Sequence, residues 1–167
     1  MPGDGPDTAL QALVATIDYP MFVVTTAAAD GERAGCLVGF ATQCSLEPAR
    51  LLVCISKRNH TFRVARRAEV VVVHFLGGGN VDLARLFGEN TGDEVDKFAR
   101  CTWEPGPGGA PIVRDCRGWV AARIIERFDC GDHVAFLLDP VASDARHADD
   151  VPLGFQDVRD LDPGHDA

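Results

Sequence analysis

Residues 45–62 read SLEPARLLVCISKRNHTF. Leu51 to Ile55 is a run of branched and apolar residues suited to a buried strand. It empties into Ser-Lys-Arg-Asn-His-Thr before the chain turns apolar again at Phe62. A surface turn needs only Asn and Gly, whereas hydroxyls, an amide and cations together make an anion cradle. A helix is expected over TFRVARRAE, residues 61–69, with Thr61 as N-cap, and its first backbone N–H groups would point at the same spot. Ser56, Asn59 and Thr61 would add donors, and Lys57, Arg58 or His60 would add charge-assisted bonds to phosphate oxygens. The plainer alternative is a helix cap in which Thr61 satisfies only its own backbone, and the residues alone leave the two open.

Composition bounds what such a cradle serves. The chain has 167 residues, 46% hydrophobic and 25% charged, the profile of one globular domain. Its net charge of −9 argues against a nucleic-acid partner held through phosphates. Lys57, Arg58, Arg63, Arg66 and Arg67 nevertheless form a basic island, which in an acidic chain suggests a small anionic ligand. For Arg66 and Arg67 a solvated helix face is the simpler reading. No apolar run reaches the roughly 18 residues that span a bilayer, and MPGDGPDTAL lacks the basic and apolar regions of a secretory signal. No membrane partner is expected, and the expected compartment is the cytoplasm. The six cysteines (Cys36, Cys44, Cys54, Cys101, Cys116, Cys130) show no CxxC pair, and the five histidines no HExxH. Small, mostly buried thiols and no metal site are expected.

Outward from the opening stretch, strands dominate. MFVVTT (21–26), CLVGFATQCSL (36–46), RLLVCIS (50–56), VVVVHFL (70–76), RGWVAARIIERFDC (117–130) and DHVAFLLDPVA (132–142) read as six strands. Asp30-Gly31 supplies a hairpin turn. Short helices are expected over residues 8–17 and 81–87, the second capped by Asn80 and closed by Gly88. Residues 89–111 read as a long functional loop, and the chain beyond Arg146 as a loose tail in which VPLGF (151–155) has the apolarity to dock. The organisation is thus an N-terminal helical segment (1–17), one domain (18–145) and a tail (146–167). The strands do not alternate with helices as βαβ units would. A mainly β (α+β) fold is expected, a closed antiparallel barrel with no exposed edges.

Two tempting motifs fail. LGGGNVD (76–82) follows a strand and precedes a helix, yet Asp82 stands where a dinucleotide fingerprint needs its third glycine. No G-x-S-x-G elbow is present, and Cys44 reads more simply as a packed thiol than as a nucleophile. Gly131-Asp132-His133 lies between the last two strands. Asp in a turn is commonly structural, while a histidine there overlooking a pocket has a near-neutral pKa for proton handling.

Jointly, VVTT (23–26), AGCLVGFATQCSLEP (34–48), CISKRNHT (54–61), DKF (96–98), GGAPIV (108–113) and GDHVAF (131–136) resemble the flavin reductase-like family of FMN-binding split barrels. The resemblance covers residues 18 to 145 and implies a six-stranded antiparallel split β-barrel of Greek-key character. It implies hydride transfer from NADH or NADPH to FMN, a homodimer, and a partner monooxygenase that takes the reduced flavin. Leu37, Val38 and Gly39 would line the isoalloxazine ring through backbone N–H groups, and Gln43, Cys44 and Ser45 would continue along the ring and ribityl chain. Ser56, Lys57, Asn59, His60 and Thr61 would hold the phosphate. Lys97 and Phe98 would lie near the flavin, often from the partner subunit, and His133 would stand by the nicotinamide face as a positioning or proton-handling residue. Leu37 and Gly39 replace a Thr and a Ser of the family's ring-binding segment, so ring contacts become backbone and apolar, and FAD or a deazaflavin stays open beside FMN. Two further readings are a flavin carrier or sensor without a nicotinamide site, and a barrel with no cofactor.

Overall fold

The computed structural model describes residues 5–164. Its largest element is an antiparallel sheet of seven strands in the order β2-β1-β5-β8-β9-β4-β3. These strands are β1 (Phe22–Ala28), β2 (Arg33–Val38), β3 (Ala41–Leu46), β4 (Ala49–Ser56), β5 (Ala68–Phe75), β8 (Gly118–Asp129) and β9 (His133–Asp144). A separate ribbon pairs β6 (Trp103–Pro105) with β7 (Pro111–Val113). Hairpin turns follow the expected chemistry. Gly31 takes φ 87 in the β1–β2 turn and Gly131 φ 122 in the β8–β9 turn, conformations that glycine adopts without a Cβ clash.

The single strand expected over 36–46 is broken. β2 pairs with β1, ending at Val38 opposite Phe22, and β3 pairs with β4, starting at Ala41 opposite Val53. Only Gly39 and Phe40 intervene, and the Phe40 carbonyl already accepts the Cys54 N–H at 2.8 Å. One bent segment therefore serves opposite ends of the sheet, and the sheet must curl. Alternate residues of six strands then converge on one interior cluster: Phe22 and Val24, Cys36 and Val38, Val53 and Ile55, Val71 and Val73, Ala122, Phe136 and Leu138.

The other face of β1 is covered too. Met21 and Val23 pack with Leu76 just after β5, with Leu153 of the C-terminal segment, and with Phe87, Val113, Phe98 and Val158, these last four from α3 (Val81–Gly88), the ribbon, a 3-10 turn at Lys97–Arg100 and α4 (Phe155–Val158). The remaining helices are α1 (Pro6–Val14) and α2 (His60–Ala65).

Several expectations change. The helix expected over 61–69 ends at Ala65, because Ala68 enters β5. Its N-cap is Asn59, whose Oδ1 accepts the Thr61 N–H at 2.9 Å. Asn80 stands at the N-cap position of α3 but its side chain does not cap it; its Oδ1 accepts the Gly77 N–H at 2.8 Å and its amide reaches the Asp115 carbonyl. The long loop carries the ribbon and the 3-10 turn. VPLGF docks, since Leu153 donates its N–H to the Leu76 carbonyl and accepts that of Met21, so the tail is tied down as far as α4. Of the cysteines, Cys36 and Cys116 are buried, but Cys44 and Cys130 are exposed.

His74 ties three strands together from a fully buried position on β5. Its Nδ1–H donates to the Val23 carbonyl at 2.9 Å and its Nε2 accepts the Val113 N–H at 2.9 Å, which is the neutral tautomer. Burial pulls its pKa down to about 4. The unfolded chain therefore takes the proton first, and stability falls as pH drops from 6.5 towards that value. The loss should reach roughly 3 kcal/mol in urea unfolding across this window. A His74→Asn variant, weaker at neutral pH, should show a much flatter slope there.

Candidate functional site

Where the bent segment passes β4, the surface opens into a cavity of about 230 Å³. One side is the bend itself, Leu37, Val38, Gly39 and Phe40; the floor is Cys54, Ile55 and Ser56 at the end of β4, with Asn59 beyond. The far wall is aromatic: Tyr19 stacks on Phe155 at 4.8 Å between centroids, and Phe40 meets the His133 ring at 5.2 Å. Gly39 permits this wall, since a Cβ there would run into the Tyr19 ring.

Charges stand at the edges. His133 Nδ1 lies 2.6 Å from Asp132 Oδ1, and that bond holds the Asp132 carboxyl below its ordinary value. Lys57 Nζ donates to Asp129 Oδ2 at 2.7 Å. A second space of about 200 Å³ shares Met21, Leu37, Asn59 and Phe155 with the first and adds Asn90, Thr91 and Leu161. On the other side of α2 lies a cleft of about 470 Å³ carrying Glu32, Asp93, Glu94 and Asp96. Four carboxylates make it a poor host for an anion, and Arg63, Arg67 and His60 pair with Asp93, Asp30 and Glu32 at its rim.

Residues 14–162 match the family model of the flavin reductase like domain. The chain belongs to that family. It is 32% identical over 120 residues to the FMN reductase (NADH) RutF of Bradyrhizobium diazoefficiens, covering 72% of this chain and 66% of that one. It is also 32% identical over 136 residues to the flavin reductase (NADH) of Kitasatospora aureofaciens, covering 80% and 69%. Among solved structures, the Streptomyces globisporus NADH:FAD oxidoreductase SgcE6 superposes with a TM-score of 0.76 at 23% identity, over 87% of this chain and 86% of that one, a likeness of fold.

For a flavin reductase-like chain the question is whether these residues fit a flavin. The cavity has the flat apolar and aromatic lining that a ring system needs. Because β2 and β3 are the two outermost strands, their outward backbone groups near the bend lack sheet partners and can serve the ring's heteroatoms. The residues fit.

Of the residues singled out in the sequence, Leu37, Val38, Gly39, Ser56, Asn59 and His133 come together around this one cavity. Gln43, Cys44 and Ser45 lie along β3, outside its lining, with Gln43 Nε2 donating to the Ser45 carbonyl at 3.1 Å. Lys57 is turned to Asp129, and His60 lies between Asp93 and Glu32. Thr61 is buried with its hydroxyl against the Cys36 thiol. Phe98 packs between Phe87 and Trp103 at 5.7 Å from each.

Sequence reasoning missed Tyr19, Phe40 and Phe155. The docking of VPLGF was the one signal for Phe155, but nothing linear joins residue 155 to residue 19. It also missed the task of Lys97. Its buried ammonium donates to the Gly35 carbonyl at 2.8 Å and the Phe87 carbonyl at 3.2 Å, clamping the outer edge of β2 to the end of α3. Burial lowers its pKa. Lys97→Met leaves both carbonyls without their donor and should cost about 1–3 kcal/mol in chemical denaturation; an unchanged midpoint would contradict the clamp.

Proposed function

We propose that this chain is an NAD(P)H:flavin oxidoreductase that binds FMN in the cavity at the bend of its sheet. The observation that carries this reading is the convergence of an apolar floor, the bend between the two end strands and an aromatic wall with His133 at one family-matched site. Its named relatives are reductases of FMN and flavin that use NADH. The chain spans about two thirds of the length of each, so activity, substrate and partner are inferences here. Counting the bent β2–β3 segment as one strand, the curled sheet is a six-stranded split barrel.

The flavin, when bound, supplies the acceptor for the nicotinamide hydride. The chain does the rest. Leu37, Val38, Gly39 and Ile55 present a flat apolar bed, and backbone groups of the bend orient the ring. Tyr19, Phe40 and Phe155 exclude water from one side. Ser56 and Asn59, with Lys57 and Arg58 beside them, mark the phosphate end; since Asn59 already caps Thr61, the hydroxyl and the cations carry that contact. Asp132 fixes Nδ1 of His133 and leaves Nε2 to position the nicotinamide or hold a proton. Lys57, Arg63 and Arg67 are drawn into ion pairs, so a single phosphate suits this rim better than the polyanionic tail of a deazaflavin.

A homodimer would cover apolar side chains that one copy exposes, among them Leu10, Leu13 and Ile17 after and within α1 and Ile125 and Phe128 on β8. A separate oxygenase, taking up the reduced flavin in the cytoplasm, would complete the system. No described helix is long and apolar enough to cross a membrane.

The test is oxidation of NADH and NADPH by purified protein with and without FMN. Turnover should require FMN; its absence with either nicotinamide would contradict the reading. His133→Ala should keep FMN affinity and lose turnover, Ser56→Ala should weaken FMN more than riboflavin, and Asn59→Ala should cost about 1 kcal/mol of stability through the lost cap. Equal weakening of both flavins would remove the phosphate from this loop.

A further inference from the structure

Among the described residues, the side chains that bring oxygen or nitrogen to the lining of the cavity are Tyr19, Ser56, Asn59 and His133. The last three already have protein partners. Ser56 Oγ accepts the Arg58 N–H at 3.3 Å, Asn59 Oδ1 caps α2, and His133 Nδ1 is held by Asp132. The Tyr19 hydroxyl bonds to no described residue.

The ring that carries this hydroxyl is firmly placed. The Tyr19 carbonyl accepts the Phe155 N–H at 2.8 Å, its ring stacks on Phe155 with the planes 15° apart, and Pro20 beside it bridges to Gly154. An edge of the ring fills the space left by the missing Cβ of Gly39. Cζ, the atom that bears the hydroxyl, is 3.3 Å from where that Cβ would stand. The oxygen therefore sits beside the bend, next to the bed formed by Leu37, Val38 and Gly39. Burial raises the phenol pKa above its ordinary value, so the hydroxyl keeps its proton and can donate.

We propose that the Tyr19 hydroxyl donates a hydrogen bond to the flavin ring and so fixes how the ring lies on its bed. The inference rests on the proposed function, which places the flavin in this cavity. The pyrimidine part of an isoalloxazine carries carbonyl oxygens and unprotonated ring nitrogens, all acceptors. A polar ring edge that leaves water for an apolar cavity needs a donor to replace the one it loses. Tyr19 supplies it without first breaking a protein bond. Stacking and the main-chain bonds to residues 154 and 155 hold the phenol in place beforehand, so little ordering is lost on binding. Gly39 and Tyr19 act as a pair, the glycine leaving the room in which the phenol reaches the bend. Reduction adds negative charge to the same acceptors, and a bond to a charged acceptor is roughly twice as strong. The hydroxyl thus favours reduced flavin over oxidised.

The experiment compares wild type with Tyr19→Phe, which keeps the stack and loses only the hydroxyl. Titrations with FMN and with riboflavin, followed by flavin fluorescence, should show both dissociation constants raised about three- to tenfold, since the lost contact is to the ring they share. The midpoint potential of bound FMN should fall. Thermal unfolding of the flavin-free chain should not change, because the hydroxyl has no described protein partner to lose. Weakening confined to FMN overturns the proposal, since it would put the hydroxyl at the phosphate. So does a weakening that comes with a lower Tm of the flavin-free variant, which would make the residue structural. If wild type and Tyr19→Phe bind both flavins equally well, the hydroxyl assignment fails and the flavin site stands. If wild type binds neither flavin, the reductase reading fails and takes the proposal with it.

Discussion

The fold hangs on one covalent constraint, the two-residue link between strands at opposite ends of the sheet. Laid flat, seven strands set their outermost members about 29 Å apart. Val38 and Ala41, joined only through Gly39 and Phe40, can be at most about 11 Å apart. The sheet has no choice but to curl. The apolar alternation of its strands then faces a common interior, where Phe136, Leu138, Val53 and Ile55 are almost wholly excluded from solvent.

The same constraint creates the site. At the bend the segment has left β1 and has only begun to pair with β4, so the cavity opens between two strand ends over a packed apolar floor. A glycine is needed there for a reason of space: Tyr19 occupies the volume that a Cβ would take. Lys97 secures the outer edge just before the bend, and the docked C-terminal segment brings Phe155 onto Tyr19. That segment is anchored by main-chain bonds from Leu153 to Met21 and Leu76, so the wall of the cavity is held by the second core and not by the first.

Local signals in the sequence were legible where chemistry and structure coincide. The branched runs are strands, Asp30-Gly31 and Gly131 turn, and six of the residues expected at a flavin site line one cavity. The strand break at Gly39-Phe40 was hidden because both halves carry strand-forming residues, and only pairing partners distinguish them. Asn59 displaced Thr61 as the cap because the helix starts at His60, which turns Thr61 inward to Cys36. The basic island looked like an open anion site, since its acidic partners Asp30, Glu32, Asp93 and Asp129 are scattered along the chain. His74 and Lys97 are single polar residues in apolar or mixed runs, and their partners come from strands and helices far away in sequence.

Backbone amide hydrogen exchange, followed with and without FMN, tests the central claim most directly, because it reports where the flavin lies without assuming any turnover. The account predicts slowed exchange at residues 36–40, 54–59 and 153–156, with little change around the separate cavity of about 670 Å³ lined by Gly77, Gly78, Gly79 and Arg117. Protection at that second location, or none at the bend while FMN demonstrably binds, would contradict it.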